Sequence, residues 1–285
     1  MTAVIVWQQD DKAQGGFRSS WVERIADKPE VKGERPGIIA VSSTSIWSLG
    51  TTIVKGCSQY AFDANGEVVV RNGQPVRVNP ELEMPELVRA EDGKRVAPWK
   101  DGHGYPTVGT QCESSLEEYS VRVVFEGGMG PFVVASVNTY TNHGGAHGIR
   151  GQNLVSIDLD AGKAVDLGPP EKDKAALAKA AAAGLSVELK EVQPAGVVLM
   201  YGPLGAGLAL YRFSAYAPYV GGLGGNSYSN DFVVSSKSLP VELERYQKLP
   251  AWVVPHLNGK SRMVFMVPPA RLSAFRRQFD AAYSK

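Results

Sequence analysis

The sequence predicts an α+β protein dominated by strands, and three observations lead there. Segments rich in β-branched and other apolar residues recur along the chain, among them Ile46 to Lys55, Phe132 to Tyr140 and Leu208 to Tyr216. Turn chemistry separates them. Asn65-Gly66 supplies the positive φ that a two-residue hairpin loop needs, Asn72-Gly73 is a second turn signal, and 31 glycines with 18 prolines punctuate the chain on the scale of a β-rich protein. Helical period is confined to a few stretches, chiefly Glu171 to Ala183 and a terminal segment that spaces Leu272, Phe275, Phe279 and Tyr283 three or four apart.

Composition narrows the class further. A chain of 285 residues with 44% apolar residues builds one large domain or two modest ones around an ordinary core. The formal net charge is +1, too close to zero for the one-signed field that nucleic acids or membrane surfaces require. No run approaches the roughly 18 apolar residues of a membrane span. Met1 to Trp7 lacks a basic n-region, so no signal peptide is read there.

Taken in order, residues 1–118 form a β-rich N-terminal region. Its first part is polar and broken by Gly15-Gly16, Pro29, Gly33 and Pro36, with one helical turn or two at Ser19 to Ile25. Ile38 to Val41 and Ile46 to Lys55 read as strands, and a hairpin at Asn65-Gly66 leads to Glu67 to Arg71. Residues 79–118 are the least regular, with a helical turn at Glu86 to Ala90 and an organisational boundary near residue 115. Residues 119–236 are the second region. Val121, Val123 and Phe125 alternate with Ser120 and Arg122, a strand with one half-polar face; Gly127-Gly128-Met129-Gly130 turns it into Phe132 to Tyr140. Gln152 to Leu159 and Ala164 to Leu167 flank a turn at Asp160 to Lys163. Pro169-Pro170 opens the helix, whose first turn is acidic and for which Gly184 reads as the stop. Val197 to Tyr201, Leu208 to Tyr216 and Asp231 to Ser235 are strands. Residues 237–285 are an extension with a short helix at Pro240 to Gln247, a strand at Arg262 to Val267 and the terminal amphipathic helix.

The stretch from Asn138 to Gly148 organises the second region. A long apolar strand runs into Tyr140-Thr141-Asn142-His143-Gly144-Gly145-Ala146-His147-Gly148, and the glycines exclude both helix and regular strand. The two cysteines, Cys57 and Cys112, are either two free buried thiols or one disulfide. A disulfide would close a loop of ~55 residues and contribute roughly 4 kcal/mol in the loop-entropy model.

Three motifs in this order carry a resemblance. They are the Tyr140 to Gly148 loop, the hairpin Ser156-Ile-Asp158-Leu-Asp160-Ala-Gly162-Lys163, and Tyr211-Arg-Phe213-Ser-Ala-Tyr216-Ala-Pro218-Tyr219-Val220-Gly221-Gly222. Together they resemble the extracytoplasmic domain at the C-terminus of lysozyme-sensing anti-sigma factors, whose relatives stand beside peptidoglycan deacetylases and in lipoproteins. Ala161 replaces a threonine common in that family, and His143-Gly144 is additional before Gly145. The resemblance covers roughly residues 119–236. It implies an antiparallel sheet with helices packed on one face. It also implies a periplasmic or secreted location, a disulfide between Cys57 and Cys112, and a non-enzymatic binding or sensing role. The ligand it implies is a protein such as a lysozyme-type enzyme or a cell-wall glycan.

The residues most apt to contact a ligand are Tyr140, Asn142, His143, Gly144, Gly145, His147, Tyr216 and Tyr219. The i,i+4 spacing of His143 and His147 suits zinc only on a helix, which the glycines exclude, so no metal is expected. A histidine that hydrogen-bonds backbone and holds the loop explains the pair better. Gly202-Pro-Leu-Gly205-Ala-Gly207 lacks the Lys-Ser/Thr of a phosphate loop and reads as a tight turn, and no cofactor is expected. Asp158, Asp160 and Asp166 have turn spacing, not that of a calcium loop. No Gly-x-Ser-x-Gly elbow occurs. The alternative to a binding module is a cell-wall hydrolase or deacetylase accessory domain using His143 or His147. One arrangement is expected in particular: Gly144 to Gly148 and Ala217 to Gly222 meet at one end of the same sheet.

Overall fold

The computed structural model describes residues 47–100, 118–142, 149–217 and 228–249, apart from Cys57, Ala90 and Pro203, together with five further short strands. Four of these lie near the start: β1 (Ala3–Gln9), β2 (Phe17–Arg18), β3 (Glu23–Arg24) and β4 (Ile39–Val41). Glu23 and Arg24 pair with Ile5 and Val4, so this part of the expected helical turn at Ser19 to Ile25 is strand, held by its neighbour. The strand β5 (Trp47–Lys55) follows. Residues 59–78 make a small ribbon of β6 (Gln59–Tyr60), β7 (Val70–Arg71), β8 (Gln74–Pro75) and β9 (Arg77–Val78). The second turn signal makes its tip: Asn72 and Gly73 both have positive φ, 50° and 77°, as a primed two-residue loop requires. The hairpin expected at Asn65-Gly66 is a longer turn, with positive φ at Gly66 but not at Asn65 and with the Asp63 N–H donating to the Glu67 carbonyl.

The expected helical turn at Glu86 to Ala90 is not formed. Of these, residues 86–89 lie in β10 (Glu81–Arg89), which pairs along its whole length with β5 and briefly with β11 (Arg95–Val96), and Ala90 lies outside the described residues. Met84 and Leu87 are buried and pairing overrides a single turn's propensity. Pro85 is tolerated because β11 reaches only Leu87 and Val88. The Pro85 carbonyl accepts from Nε1 of the fully buried Trp99 at 3.1 Å.

The central sheet is β12 (Glu118–Met129), β13 (Phe132–Asn142), β14 (Ile149–Asp158) and β15 (Lys163–Val165), antiparallel in that order. β12 continues through Gly127 and Gly128 to Met129, past the glycines expected to turn it. The ladder absorbs a bulge between Phe125 and Gly127 and turns at Gly130-Pro131, with Gly130 at φ 62°. One face buries Val133, Ala135, Val137, Val155 and Ile157. Trp47 joins this sheet to the N-terminal one, its Nε1–H donating to the Leu159 carbonyl at 2.9 Å.

After the sheet comes α1 (Glu171–Leu185). Pro170 precedes it in an extended conformation, and Glu171 and Asp173 offset the dipole at its start. The helix does not stop at Gly184. It runs to Leu185 and ends on Ser186 in the left-handed region. Gly184 is glycine because the Phe232 ring lies where a Cβ would be. A 3₁₀ turn, Leu189–Glu191, leads into β16 (Val192–Tyr201), β17 (Gly207–Ala217) and β18 (Tyr228–Ser236), a three-stranded antiparallel sheet. The α1 residues Leu177 and Ala181 share a core with Val197, Leu199, Tyr211 and Phe213 of this sheet and with Phe132 and Val134 of the central one. β16 crosses against β12 and β14. Gly127 and Gly196 make the approach possible: a Cβ on Gly127 would fall on the Leu199 carbonyl, and one on Gly196 would lie 2.7 Å from Leu154 Cβ.

The segment expected as a short helix at Pro240 to Gln247 is a 3₁₀ helix, Val241–Tyr246, seating Leu243 in the core. The last described strand, β19 (Met263–Val267), pairs antiparallel with β1 and parallel with β4. Among the described residues no helix is long and apolar enough to cross a membrane. The expected terminal helix lies outside the described residues. The chain is thus α+β with antiparallel sheets dominant.

Candidate functional site

Strand periodicity builds the candidate site. On the central sheet, residues in register share a face, and two successive rows of one face are polar. Ser120, Tyr140 and Arg150 form one row, and Arg122, Asn138 and Gln152 the next. The third row of this face, Val124, Ser136 and Leu154, begins its burial under β16. Arg212 of β17 and Asp231 of β18 close the other side. The result is an open groove of about 960 Å³.

A continuous polar chain fixes its floor. Arg212 is ion-paired with Asp231, and its Nη2 also donates to Gln152 Oε1 at 3.1 Å. Gln152 Nε2 donates to Ser136 Oγ at 3.0 Å, and Asn138 Nδ2 donates to the same oxygen at 3.1 Å. Ser136 is fully buried, so two amide donors are anchored to one inaccessible hydroxyl. Arg150 holds its guanidinium 5.8 Å from the Tyr140 ring centroid, a cation–π distance. Among the described residues, no carboxylate stands within ion-pair distance of Arg122 or Arg150.

Groups with shifted proton affinity lie away from the groove. Burial raises Tyr201 well above the usual tyrosine range and pushes Tyr211 up to about 12. Tyr201 donates its hydroxyl to the Tyr246 carbonyl at 2.6 Å, and Tyr211 to the Ser238 carbonyl at 3.2 Å. Asp92 is lowered chiefly by its hydrogen bond from Arg89. The turn reading of Asp158 is met directly: its Oδ1 accepts from the backbone of Asp160 and Ala161. Among the described residues no group of three or more His, Cys, Asp or Glu side chains is placed to hold a metal.

Of the residues singled out from sequence, Tyr140 stands in the groove. Asn142 ends β13 opposite Glu118, and Tyr216 lies in β17 opposite Ser229. His143, Gly144, Gly145, His147, Tyr219, Cys57 and Cys112 lie outside the described residues. The expectation that the two glycine segments sit at one end of the same sheet needs correction. Their parent strands, β13 and β17, belong to different sheets, because the chain between them passes through β14, β15, α1 and β16 and opens a second sheet. Sequence reasoning missed Arg122, Arg150, Gln152, Arg212 and Asp231. A signal for Arg122 was present, since it alternates with Val121 and Val123 on the polar side of its strand.

Fold and groove together define a strand-dominated α+β protein with an arginine-bearing sheet face open to solvent. Neither the family models nor the curated proteins compared with this chain gave a match.

Proposed function

We propose that this chain is a non-enzymatic binding module of the cell envelope, working outside the cytoplasm, with the groove around Tyr140 as its ligand surface. The observation that carries the reading is the composition of that groove. Its described titratable groups are Tyr140, three arginines and one aspartate already paired with Arg212. Arginine stays protonated and donates hydrogen bonds without taking up a proton, so the set suits holding a ligand better than turning one over. The resemblance to the extracytoplasmic domain of lysozyme-sensing anti-sigma factors supports the same reading, as does Tyr140, which opens the motif carrying it. The helical cover on one sheet face belongs to this proposal as well, supported by the core that α1 shares with β16 and β17. Between a lysozyme-type protein and a cell-wall glycan, the side-chain amides and hydroxyls of the groove favour the glycan.

The test is retention of the purified protein on peptidoglycan sacculi and, separately, on an immobilised lysozyme-type enzyme. Retention on sacculi is expected, weakened by Tyr140→Ala. Retention on neither support rejects the proposal. Hydrolysis of sacculi that vanishes in His143→Ala or His147→Ala would replace it with the hydrolase alternative.

A further inference from the structure

Resting on the reading of this face as a ligand surface, we infer that Arg122 and Arg150 bind carboxylates of an acidic glycan, a sugar chain with carboxylate groups along its length. Charge is the first argument. The groove concentrates three guanidinium groups in a chain whose formal net charge is only +1. Among the described residues the one carboxylate lining it, Asp231, is engaged by Arg212. Among the described residues no carboxylate pairs with Arg122 or Arg150, whose planar donor forks match carboxylate oxygens two at a time.

Spacing is the second argument. Arg122 and Arg150 stand on either side of β13 and one row apart. Strand spacing and rise put their Cα atoms about 12 Å apart. Such a pair serves two acidic groups on one extended ligand. Between them lie the Gln152 amide, with an N–H beyond the one given to Ser136, the carbonyl oxygen of the Asn138 amide, whose Nδ2 donates to both Ser136 Oγ and the Ser136 carbonyl, and the Ser120 hydroxyl. Neutral donors alternating with cations suit a chain of hydroxyls interrupted by acids. Tyr140 adds an apolar ring against which a sugar ring packs.

The backbone supplies the third argument, which disfavours a peptide. β13 is paired with β12 on one side and β14 on the other from Phe132 to Thr141. β13, which runs under the middle of the groove, therefore offers no main-chain edge for strand addition, the usual source of affinity for an extended peptide; the outer edge of β12, the terminal strand of the sheet, lies at the rim and not along the floor. Recognition falls to side chains.

The experiment titrates the full chain with a short oligogalacturonate by calorimetry, beside the fully methyl-esterified oligomer, poly-glutamate and inorganic phosphate. The acid oligomer is expected to bind, its affinity falling as salt rises. Esterification, Arg122→Gln and Arg150→Gln should each weaken binding roughly tenfold or more, the scale of a hydrogen bond to a charged group. Lys190→Gln, an exposed change in the 3₁₀ turn before β16, should not. Unchanged melting temperatures of the arginine variants confirm that they fold. Absence of oligogalacturonate binding, equal binding of the ester, or wild-type affinity in both arginine variants overturns the inference. Tighter binding of poly-glutamate makes the groove a peptide site, and equal competition by phosphate makes it a simple anion site; either result overturns it too. The two proposals fail separately. Retention on sacculi that survives both arginine substitutions removes only the acidic-glycan inference. Oligogalacturonate binding without retention on sacculi or enzyme removes only the envelope reading.

Discussion

Replacing Trp47 by phenylalanine probes how the N-terminal sheet is fastened to the central one. The indole is 3% exposed and donates Nε1–H to the Leu159 carbonyl at 2.9 Å. Its ring also fills the space above Gly162, whose added Cβ would lie 3.2 Å from it. Phenylalanine has no N–H, so the carbonyl loses this buried donor, at a cost of about 1–3 kcal/mol. Shrinking the ring leaves a void on the order of 40 Å³, which at about 24 cal/mol per Å³ costs about 1 kcal/mol more. The expected total is about 2–4 kcal/mol. Urea unfolding followed by circular dichroism measures it. With a slope of roughly 2–3 kcal/mol per molar urea, the midpoint should fall by about 1 M. A shift below about 0.3 M with an unchanged slope would mean that Trp47 is not the fastening and that water replaces the donor at no cost.

Three further outcomes are expected. Gly127→Ala should destabilise by about 3 kcal/mol, because its Cβ meets main chain and not a movable side chain; Gly66→Ala, with nothing within 4 Å but a φ of 80°, should cost only about 1–2 kcal/mol in the same assay. Tyr201 and Tyr211 hold their protons more tightly folded than unfolded, where tyrosine ionises near about pH 10. Their contribution is therefore complete below that pH and is lost as the pH climbs toward the folded values. Melting temperature should fall above about pH 10, and less steeply in Tyr201→Phe; an equal fall in that variant would assign the effect to other groups. Cys57 and Cys112 should resist alkylation in denaturant until reductant is added, and labelling of both without reductant would disprove the disulfide.

Local chemistry made much of the fold legible. Asn72-Gly73 declared its turn because few other pairs accept two positive φ values. The helix over residues 171–185 was announced by two prolines, an acidic first turn and a run of alanines. What failed to show was tertiary in origin. Gly184 looked like a helix stop, but its lack of a side chain answers to a ring on a strand more than forty residues later. Glu86 to Ala90 looked helical because the partner that makes most of it strand, β5, is remote in sequence. The site divided the same way. Tyr140 was visible at the end of its apolar strand. Arg150 and Gln152 acquire meaning only through the β13–β14 register, and Arg212 only through the second sheet that faces the first.

The sheet that joins β1 to β19 has a consequence for how the chain comes to be folded. Ala3 stands opposite Val267, and Trp7 opposite Met263. At synthesis rates of roughly 5–20 residues per second, β19, the longest of the antiparallel partners of β1, emerges on the order of tens of seconds after β1 itself. Throughout that interval β2 and the two residues of β3 can pair with β1, but the side of β1 that β19 will cover stays open along Val4, Ile5 and Val6, the kind of edge that recruits strands from other chains. Closing so long a loop costs entropy before any contact repays it, which makes this sheet a late event. The central sheet, whose hairpins are local, can be complete while β1 still waits. Aggregation during expression should therefore respond to charge placed on β1 more than to any change in the groove.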